Sequence, residues 1–400
     1  MGNFSTLSDY IVRIRRIIHK QPELSGKEFL TQTLVKKELE QMQIPYRTLH
    51  KTDVIAEITG TKTNGLNQTV LLRADMDALP LTEKTNTEYT SECPGVMHAC
   101  GHDSHTAMLL GAAKLLSECR DSFSGTIRFV FQPAEETGGE TQKLIENGML
   151  DGVNTVFAIH VAPDTPSGKV SILPGPCMAG VDDFSIRITG TGSHGATPHL
   201  GSDALLAGAH LAINLQQIIS REIDPQEPAV LTIGIFQSGT KINLLAQEAV
   251  LSGNTRFFKK ELSGYFCEAI TRYSNHTAAM FRCSSSVTYT PSLLPTVNAP
   301  DCCSIAKAAA LAVWKKDNLM ERPARMTSED FSRYLNAVPG VMVFLGTSDG
   351  SKRTSWPLHH ECFDLDESVL VNGSRLYAAY ALEWLSNSAV PSSHQRCLTF

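Results

Sequence analysis

The segment from residue 71 to residue 105 places the tightest constraint on what this chain can become. It opens inside an apolar run, residues 69–73, and turns acidic at Asp75 and Asp77. After a loop it reaches Met97-His98-Ala99-Cys100-Gly101-His102-Asp103-Ser104-His105, with three histidines, a cysteine and an aspartate inside eight residues. Side chains of this kind cost free energy to bury unless each is paired or bound. A metal ion would supply that pairing. The rest of the chain therefore matters first for the further ligands it can bring to the same place.

Hydrophobic periodicity sets strands and helices in alternation. Residues 69–73, 125–131 and 155–160 read as buried strands, the third ending in His160, and residues 106–119 read as a helix that begins beside the cluster. A nearly all-apolar strand is expected at the centre of a sheet covered on both faces. The second strand runs into Gln132-Pro133-Ala134-Glu135-Glu136-Thr137-Gly138-Gly139. A carboxylate pair and two glycines at a strand end suit the C-terminal edge of an α/β sheet, where such folds present their binding groups. Residues 7–43 read as one long helix or two shorter ones, interrupted near Pro22. Later come helices at 304–314 and 367–385, a short helix at 328–335 capped by Ser328, and a buried strand at 341–345. The fold class is α/β, a mainly parallel sheet with helices on both faces.

Residues 182–292 read differently, as strand–helix–strand–strand–helix–strand, the order of a ferredoxin-like α+β unit. The expected organisation is a catalytic domain made of residues 1–181 and 293–400, interrupted by an inserted domain at 182–292.

Composition narrows the function classes. The net charge is −6 and no dense Lys/Arg run is present, which argues against nucleic acid or an anionic membrane as partner. No apolar run approaches the roughly 20 residues needed to span a bilayer. The N-terminal sequence lacks a signal-peptide pattern, although Met1-Gly2-Asn3-Phe4-Ser5-Thr6 fits a myristoylation pattern loosely. The ten cysteines form no CxxC pair, so they are expected as free thiols in a reducing compartment, the cytoplasm.

The chemistry-bearing residues collect into one set: Cys100, His102, Glu135 or Glu136, His160, and His359 or His360. Singly, each has a plainer reading: a core cysteine, an exposed loop pair, a histidine satisfying a carbonyl. Together they match the Cys, His and carboxylate ligands of zinc-type sites. Five ligands exceed what one tetrahedral ion needs, and two ions sharing a bridging ligand would use them all. One carboxylate would then remain as a general base. A cysteine nucleophile with a histidine base is the competing chemistry, but it leaves the carboxylate pair and the late histidine without a role.

Leu72-Arg73-Ala74-Asp75-Met76-Asp77-Ala78-Leu79-Pro80, Met97-His98-Ala99-Cys100-Gly101-His102-Asp103, Gln132-Pro133-Ala134-Glu135-Glu136 and Leu358-His359 resemble the M20 metallopeptidase family. The likeness is greatest to its amidohydrolase branch of aminoacylases, hippurate hydrolases and hydrolases of auxin–amino acid conjugates, and it runs nearly the whole chain. The resemblance implies a metallo-exopeptidase-like catalytic domain holding two divalent ions, Zn2+ or Mn2+. By that resemblance Cys100 bridges the ions, His102 and His160 complete one site, and Glu136 and His359 complete the other. Glu135 is then the general base, and Asp77 orients a ligand.

In the inserted domain, Gly192-Ser193-His194-Gly195 is similar to a segment whose histidine serves a partner subunit's active site. His194 would there stabilise an oxyanion. Asn243 and Arg256 resemble residues that hold the substrate carboxylate or amide, with Ala246 standing where the family has a proline. Glu329-Asp330-Phe331 matches a further family motif. The resemblance implies a homodimer joined through the inserted domain, acting on a small N-acyl amino acid. A dipeptidase or carboxypeptidase on the same site is the alternative. A non-catalytic metal-binding scaffold would have no use for a base at Glu135.

Overall fold

A computed structural model describes residues 4–63, 67–314 and 316–386. The first three residues of the myristoylation pattern and the tail after Ser386, with Cys397, lie outside them. The chain divides into two compact units: Met1–Gly175, Val297–Pro323 and Arg333–Phe400 form the first, Pro176–Thr296 and Ala324–Ser332 the second. Short strands β7 (Gly175–Met178) and β12 (Thr296–Asn298) lie where the chain passes from one to the other.

The first unit is built on a seven-stranded sheet. Its order is β1 (Tyr46–Arg47), β2 (Val54–Thr59), β4 (Thr126–Gln132), β3 (Thr69–Asp75), β5 (Thr155–Pro166), β13 (Gly340–Ser348) and β6 (Val170–Ser171). The four strands from β4 to β13 pair in parallel, and the outer pairings are antiparallel. Val70, Leu71 and Leu72 are consecutive and all fully buried, which requires cover on both faces of β3. The helices are α1 (Phe4–Lys20), α2 (Phe29–Gln41), α3 (His102–Ser117), α4 (Thr141–Glu146), α7 (Pro300–Val313), α8 (Ser332–Ala337) and α9 (Leu370–Ser386). In α1 the buried Leu7, Ile11, Ile14 and Ile18 recur at helical spacing and so share one face.

Three details depart from the sequence reading. Helix α3 begins at His102 rather than residue 106. Its first turn is polar yet buried throughout, so hydrophobic periodicity cannot register it. Gly101, at φ 86°, supplies the left-handed entry that a side chain would resist. His160 is not the end of its strand: parallel pairing with β13 carries β5 on to Pro166, and His160 sits opposite Phe344. Ser328 caps no helix. Glu329 and Asp330 are buried, and Glu329 accepts the Phe331 N–H at 3.1 Å, so α8 starts only at Ser332.

The second unit holds an antiparallel four-stranded sheet in the order β11 (Ser284–Leu293), β8 (Gly180–Thr189), β10 (Glu248–Phe257), β9 (Ala229–Ser238), with helices α5 (Ala204–Asn214) and α6 (Glu261–Met280). Strand β8 alternates buried and more exposed residues, and Phe184, Ile186 and Ile188 pack with Leu211, Leu251 and Phe266 from the other elements. Asp203 caps α5 through the N–H groups of Leu205 and Leu206. No helix among the described residues is long and apolar enough to cross a membrane.

A buried charge cluster ties α1 to α3. His19 Nδ1 lies 2.8 Å from Asp103 Oδ2 and its Nε2 lies 3.2 Å from Glu83 Oε1, so both ring nitrogens face carboxylates. Burial lowers the His19 pKa, but Asp103 and Glu83 outweigh it and raise the value to about 9. A folded pKa above the unfolded value of 6.5 stabilises the fold fully below pH 6.5, and that contribution is lost as pH rises through 9. Urea unfolding across this range should show stability falling with pH, and the fall should be shallower in His19→Gln.

Candidate metal centre

Parallel pairing decides which residues meet. Asp75 lies opposite Gln132 across β3 and β4, so the turns that follow both strands emerge at one edge of the sheet. Asp77 comes from the first turn and Glu135 and Glu136 from the second. The Asp77 carboxylate accepts the Glu135 N–H at 3.1 Å and the Glu136 N–H at 3.0 Å. It also accepts the Ser25 hydroxyl at 2.6 Å and faces His102 Nδ1 at 3.2 Å. Burial pushes its pKa up, but the His102 and Ser25 bonds hold it below the ordinary value, so it stays ionised. Burial lowers the His102 pKa, but Asp75, Cys100 and the Asp77 bond raise it well above the usual value, and with Nδ1 on Asp77 its Nε2 is turned the other way.

Two groups of potential ligand atoms converge there. Cys100, His102 and His160 form one, and Cys100, Glu136 and His359 form the other, with the atoms of each group within 4.8 Å of one another. Cys100 belongs to both. Cys100 Sγ lies 3.7 Å from His160 Nε2, and His359 Nε2 lies 3.3 Å from Glu136 Oε1. Ligands at tetrahedral angles and bond lengths near 2.0–2.3 Å stand roughly 3.3–3.8 Å apart. His160 Nδ1 donates to the Val161 carbonyl at 2.7 Å, which leaves its Nε2 as an acceptor. His359 takes φ 62°, rare for a side chain of its size, and its N–H is bonded to the Ala99 carbonyl at 2.8 Å.

The electrostatics suit cations. His102 Nε2 and Glu136 Oε1 are buried without a hydrogen-bond partner, a condition that costs about 1–3 kcal/mol for each group left unsatisfied. Burial, with neighbouring His105, holds His160 well below its usual pKa, so it is neutral. Burial and then Glu136 push the Cys100 thiol well up, His102 opposing. A thiol held protonated is a poor nucleophile, which counts against the cysteine–histidine reading. Divalent cations would instead be bound by the thiolate, releasing its proton.

The remaining histidines of the motif are spoken for or set apart. His105 Nδ1 lies 2.6 Å from Asp75, and its Nε2 accepts the Val161 N–H at 3.0 Å, so it has no lone pair to offer. His98 belongs to neither ligand group; it is buried with neither ring nitrogen hydrogen-bonded, and burial lowers its pKa to about 4. His360 stacks on Trp356 with ring centroids 4.3 Å apart, and its Nδ1 accepts the Cys362 N–H. Glu135 is half-buried, with Oε2 4.0 Å from His102 Nε2.

His194, Asn243, Arg256 and Glu329 lie in the second unit. His194 is exposed, and its Nδ1 accepts the Ala196 N–H at 3.1 Å. The neighbouring Gly195 N–H donates to the Asn243 carbonyl at 2.8 Å, so the His194 and Asn243 segments lie side by side. Arg256 donates to the Met326 carbonyl at 2.7 Å. Ala246, at the position where the resemblance expects proline, accepts the Ala204 N–H at 3.0 Å.

Sequence reasoning missed Glu28. It is buried and accepts from Ala134 N–H at 3.0 Å, Gly26 N–H at 2.7 Å and the Thr52 hydroxyl at 2.6 Å. It thereby holds Ala134 at φ 57°, the sharp turn that presents Glu135 and Glu136. Nothing local distinguishes Glu28 from an ordinary residue just before a helix.

Comparison with known proteins gives one family. A family model described as "Peptidase family M20/M25/M40" matches residues 71–383. An N-acetyl-L-cysteine deacetylase of Bacillus subtilis is 39% identical over 93% of this chain and 87% of its own length. A thermostable carboxypeptidase of Saccharolobus solfataricus is 37% identical over 94% of this chain and 96% of its own. Among solved structures, the Bacillus subtilis YXEP protein, described as a dinuclear metal binding peptidase from the M20 family, superposes with a TM-score of 0.84 at 34% identity, covering 95% of this chain and 99% of that one.

Asp77→Asn should break the centre without replacing a candidate ligand, because its amide nitrogen would oppose either the Glu135 or the Glu136 N–H donor. We expect about a 10–100-fold loss in metal affinity, read by competition against a chelator.

Proposed function

The chain belongs to peptidase family M20/M25/M40, and on that premise we propose that it hydrolyses the amide bond of N-acyl amino acids, releasing a carboxylic acid and a free amino acid. The observation that carries this reading is the pair of ligand groups sharing Cys100. Cys100, His102 and His160 would hold one divalent cation, and Cys100, Glu136 and His359 a second. Zinc suits the soft thiolate and imidazole donors, and manganese the carboxylate. When bound, such cations polarise an amide carbonyl and lower the pKa of a coordinated water.

The chain's own residues do the rest. Asp77 keeps His102 Nε2 turned toward the centre and fixes the backbone of both glutamates. Glu135, not needed as a ligand in either group, takes the proton from water and returns it to the leaving nitrogen. His194 is assigned to the oxyanion as a donor, and Asn243 and Arg256 to the substrate carboxylate or amide. The exposed, side-by-side placement of the His194 and Asn243 segments supports a joint binding role.

The deacetylase among the relatives supports an N-acyl amino acid as substrate, and the carboxypeptidase keeps a peptide substrate as the second reading. The inserted unit, taken as residues 182–292, is assigned to lid and dimer formation. Strand β9 is an edge of its sheet and exposes Ile235 and Phe236, while α5 exposes Leu205, Leu206 and Ile213. Apolar edges of this kind are normally covered in soluble proteins. No disulfide joins the described cysteines, which supports a reducing compartment and a cytoplasmic placement.

Sedimentation of the full chain should report a dimer that Ile235→Asp dissociates. A panel of acetyl, benzoyl and longer-chain acyl amino acids with several dipeptides, assayed after chelation and metal return, should show metal-restored turnover. Glu135→Gln should keep its metal and lose about 10²–10⁴ in rate. Turnover on dipeptides alone would select the peptidase reading. Activity that survives chelation and disappears on alkylating Cys100 would refute both.

A further inference from the structure

We propose that Arg15, which touches none of the five candidate ligands, is the positioning residue that keeps the two ligand groups in register with each other. The inference rests on the dimetal reading above. Arg15 is fully buried on α1. Its Nε donates to Asp103 Oδ2 at 3.0 Å, its Nη2 to Asp364 Oδ1 at 3.0 Å and its Nη1 to Glu367 Oε1 at 2.9 Å. Those three carboxylates come from two segments that each carry a candidate ligand. Asp103 directly follows His102 in the first turn of α3. Asp364 and Glu367 follow His359 by five and eight residues. One planar guanidinium therefore clamps the segment of one ligand group to the segment of the other.

The surroundings make the clamp stiff. Arg15 and Arg16 both lie over the Tyr89 ring, at 5.1 and 4.6 Å from its centroid, and the Tyr89 hydroxyl donates to Asp364 Oδ2 at 2.9 Å. Arg16 and Arg353 pair with Glu367 and Asp364, and His19 lies between Asp103 and Glu83. Four cationic side chains, Arg15, Arg16, His19 and Arg353, thus face four carboxylates, Glu83, Asp103, Asp364 and Glu367. The side chains of Arg15, His19, Glu83 and Asp103 are buried while those of Arg16 and Arg353 are partly exposed, and charge-assisted bonds between buried groups are short and directional. A lysine cannot reproduce the fork, since its ammonium is a single point of charge. The backbone bond from His359 N–H to the Ala99 carbonyl joins the same two segments on the ligand side. Arg15 would hold them on the far side, so that His102 and His359 move together or not at all.

A metal centre tolerates only about 0.5 Å of misplacement in its ligands, and lost outer support typically costs about 10–100-fold in metal affinity. The test uses the full chain, stripped of metal and titrated with Co2+ against a chelator, with the thiolate–cobalt absorption of Cys100 as a second signal. Wild type should bind two equivalents. Arg15→Lys, which keeps the charge and loses the fork, should bind Co2+ about 10–100-fold more weakly, with an altered absorption band. Asp364→Asn, which loosens only the His359 arm, should weaken binding in the same direction and leaves the inference testable if Arg15→Lys does not fold. A folded Arg15→Lys or Asp364→Asn with wild-type cobalt affinity and spectrum overturns the inference, whatever its loss of stability. Wild-type protein that binds no cobalt overturns the dimetal reading itself, and this inference with it.

Discussion

One carboxylate organises the centre. Asp77 lies just beyond β3 and binds two backbone N–H groups of the turn after β4, a serine before α2 and the ring of His102. These donors come from three different segments, so the bond set converts a strand order into a geometry. The anion is affordable in a buried place only because four donors face it at once. Its position then determines two things together: which nitrogen of His102 is left for a ligand, and where the glutamate backbone can lie.

The same logic recurs one layer further out. The first turn of α3 is buried and polar, and Arg15 and His19 both bond Asp103 Oδ2 from behind. Glu28 does for the glutamate turn what Asp103 does for α3, fixing a left-handed residue that would otherwise relax. Buried ions of this kind contribute little net stability against apolar packing, and their removal one at a time is costly. Their effect here is to define a position, which a metal centre needs more than it needs additional stability.

The chemistry is divided between two units of different construction. The parallel sheet brings Cys100, His102, Glu135, Glu136, His160 and His359 into one unit, because parallel strands direct all their C-terminal ends to a single edge. The second unit carries Arg256 on strand β10, with His194 and Asn243 outside its sheet strands. The first unit gathers the candidate ligands and Glu135, and the second exposes His194 and Asn243.

The sequence by itself determined the fold class and narrowed the candidate ligands, leaving Glu135 or Glu136 and His359 or His360 open until the family resemblance picked the five whose atoms lie together. These were legible because buried strands, strand-end acids and a dense His/Cys motif leave local signals. The start of α3 and the late start of α8 were not legible, since each depends on which polar residues become buried, and the continuation of β5 past His160 was not, since it depends on pairing with β13. Tertiary structure alone decided that His105 is bound on both nitrogens, that His360 stacks on Trp356, and that Glu28 and Arg15 hold parts of the chain far from them in sequence. For the hydrogen bonds, which join residues 30 to 349 positions apart, the physical reason is that such a pair leaves no periodicity and no motif, and exists only once the sheet has brought its ends together.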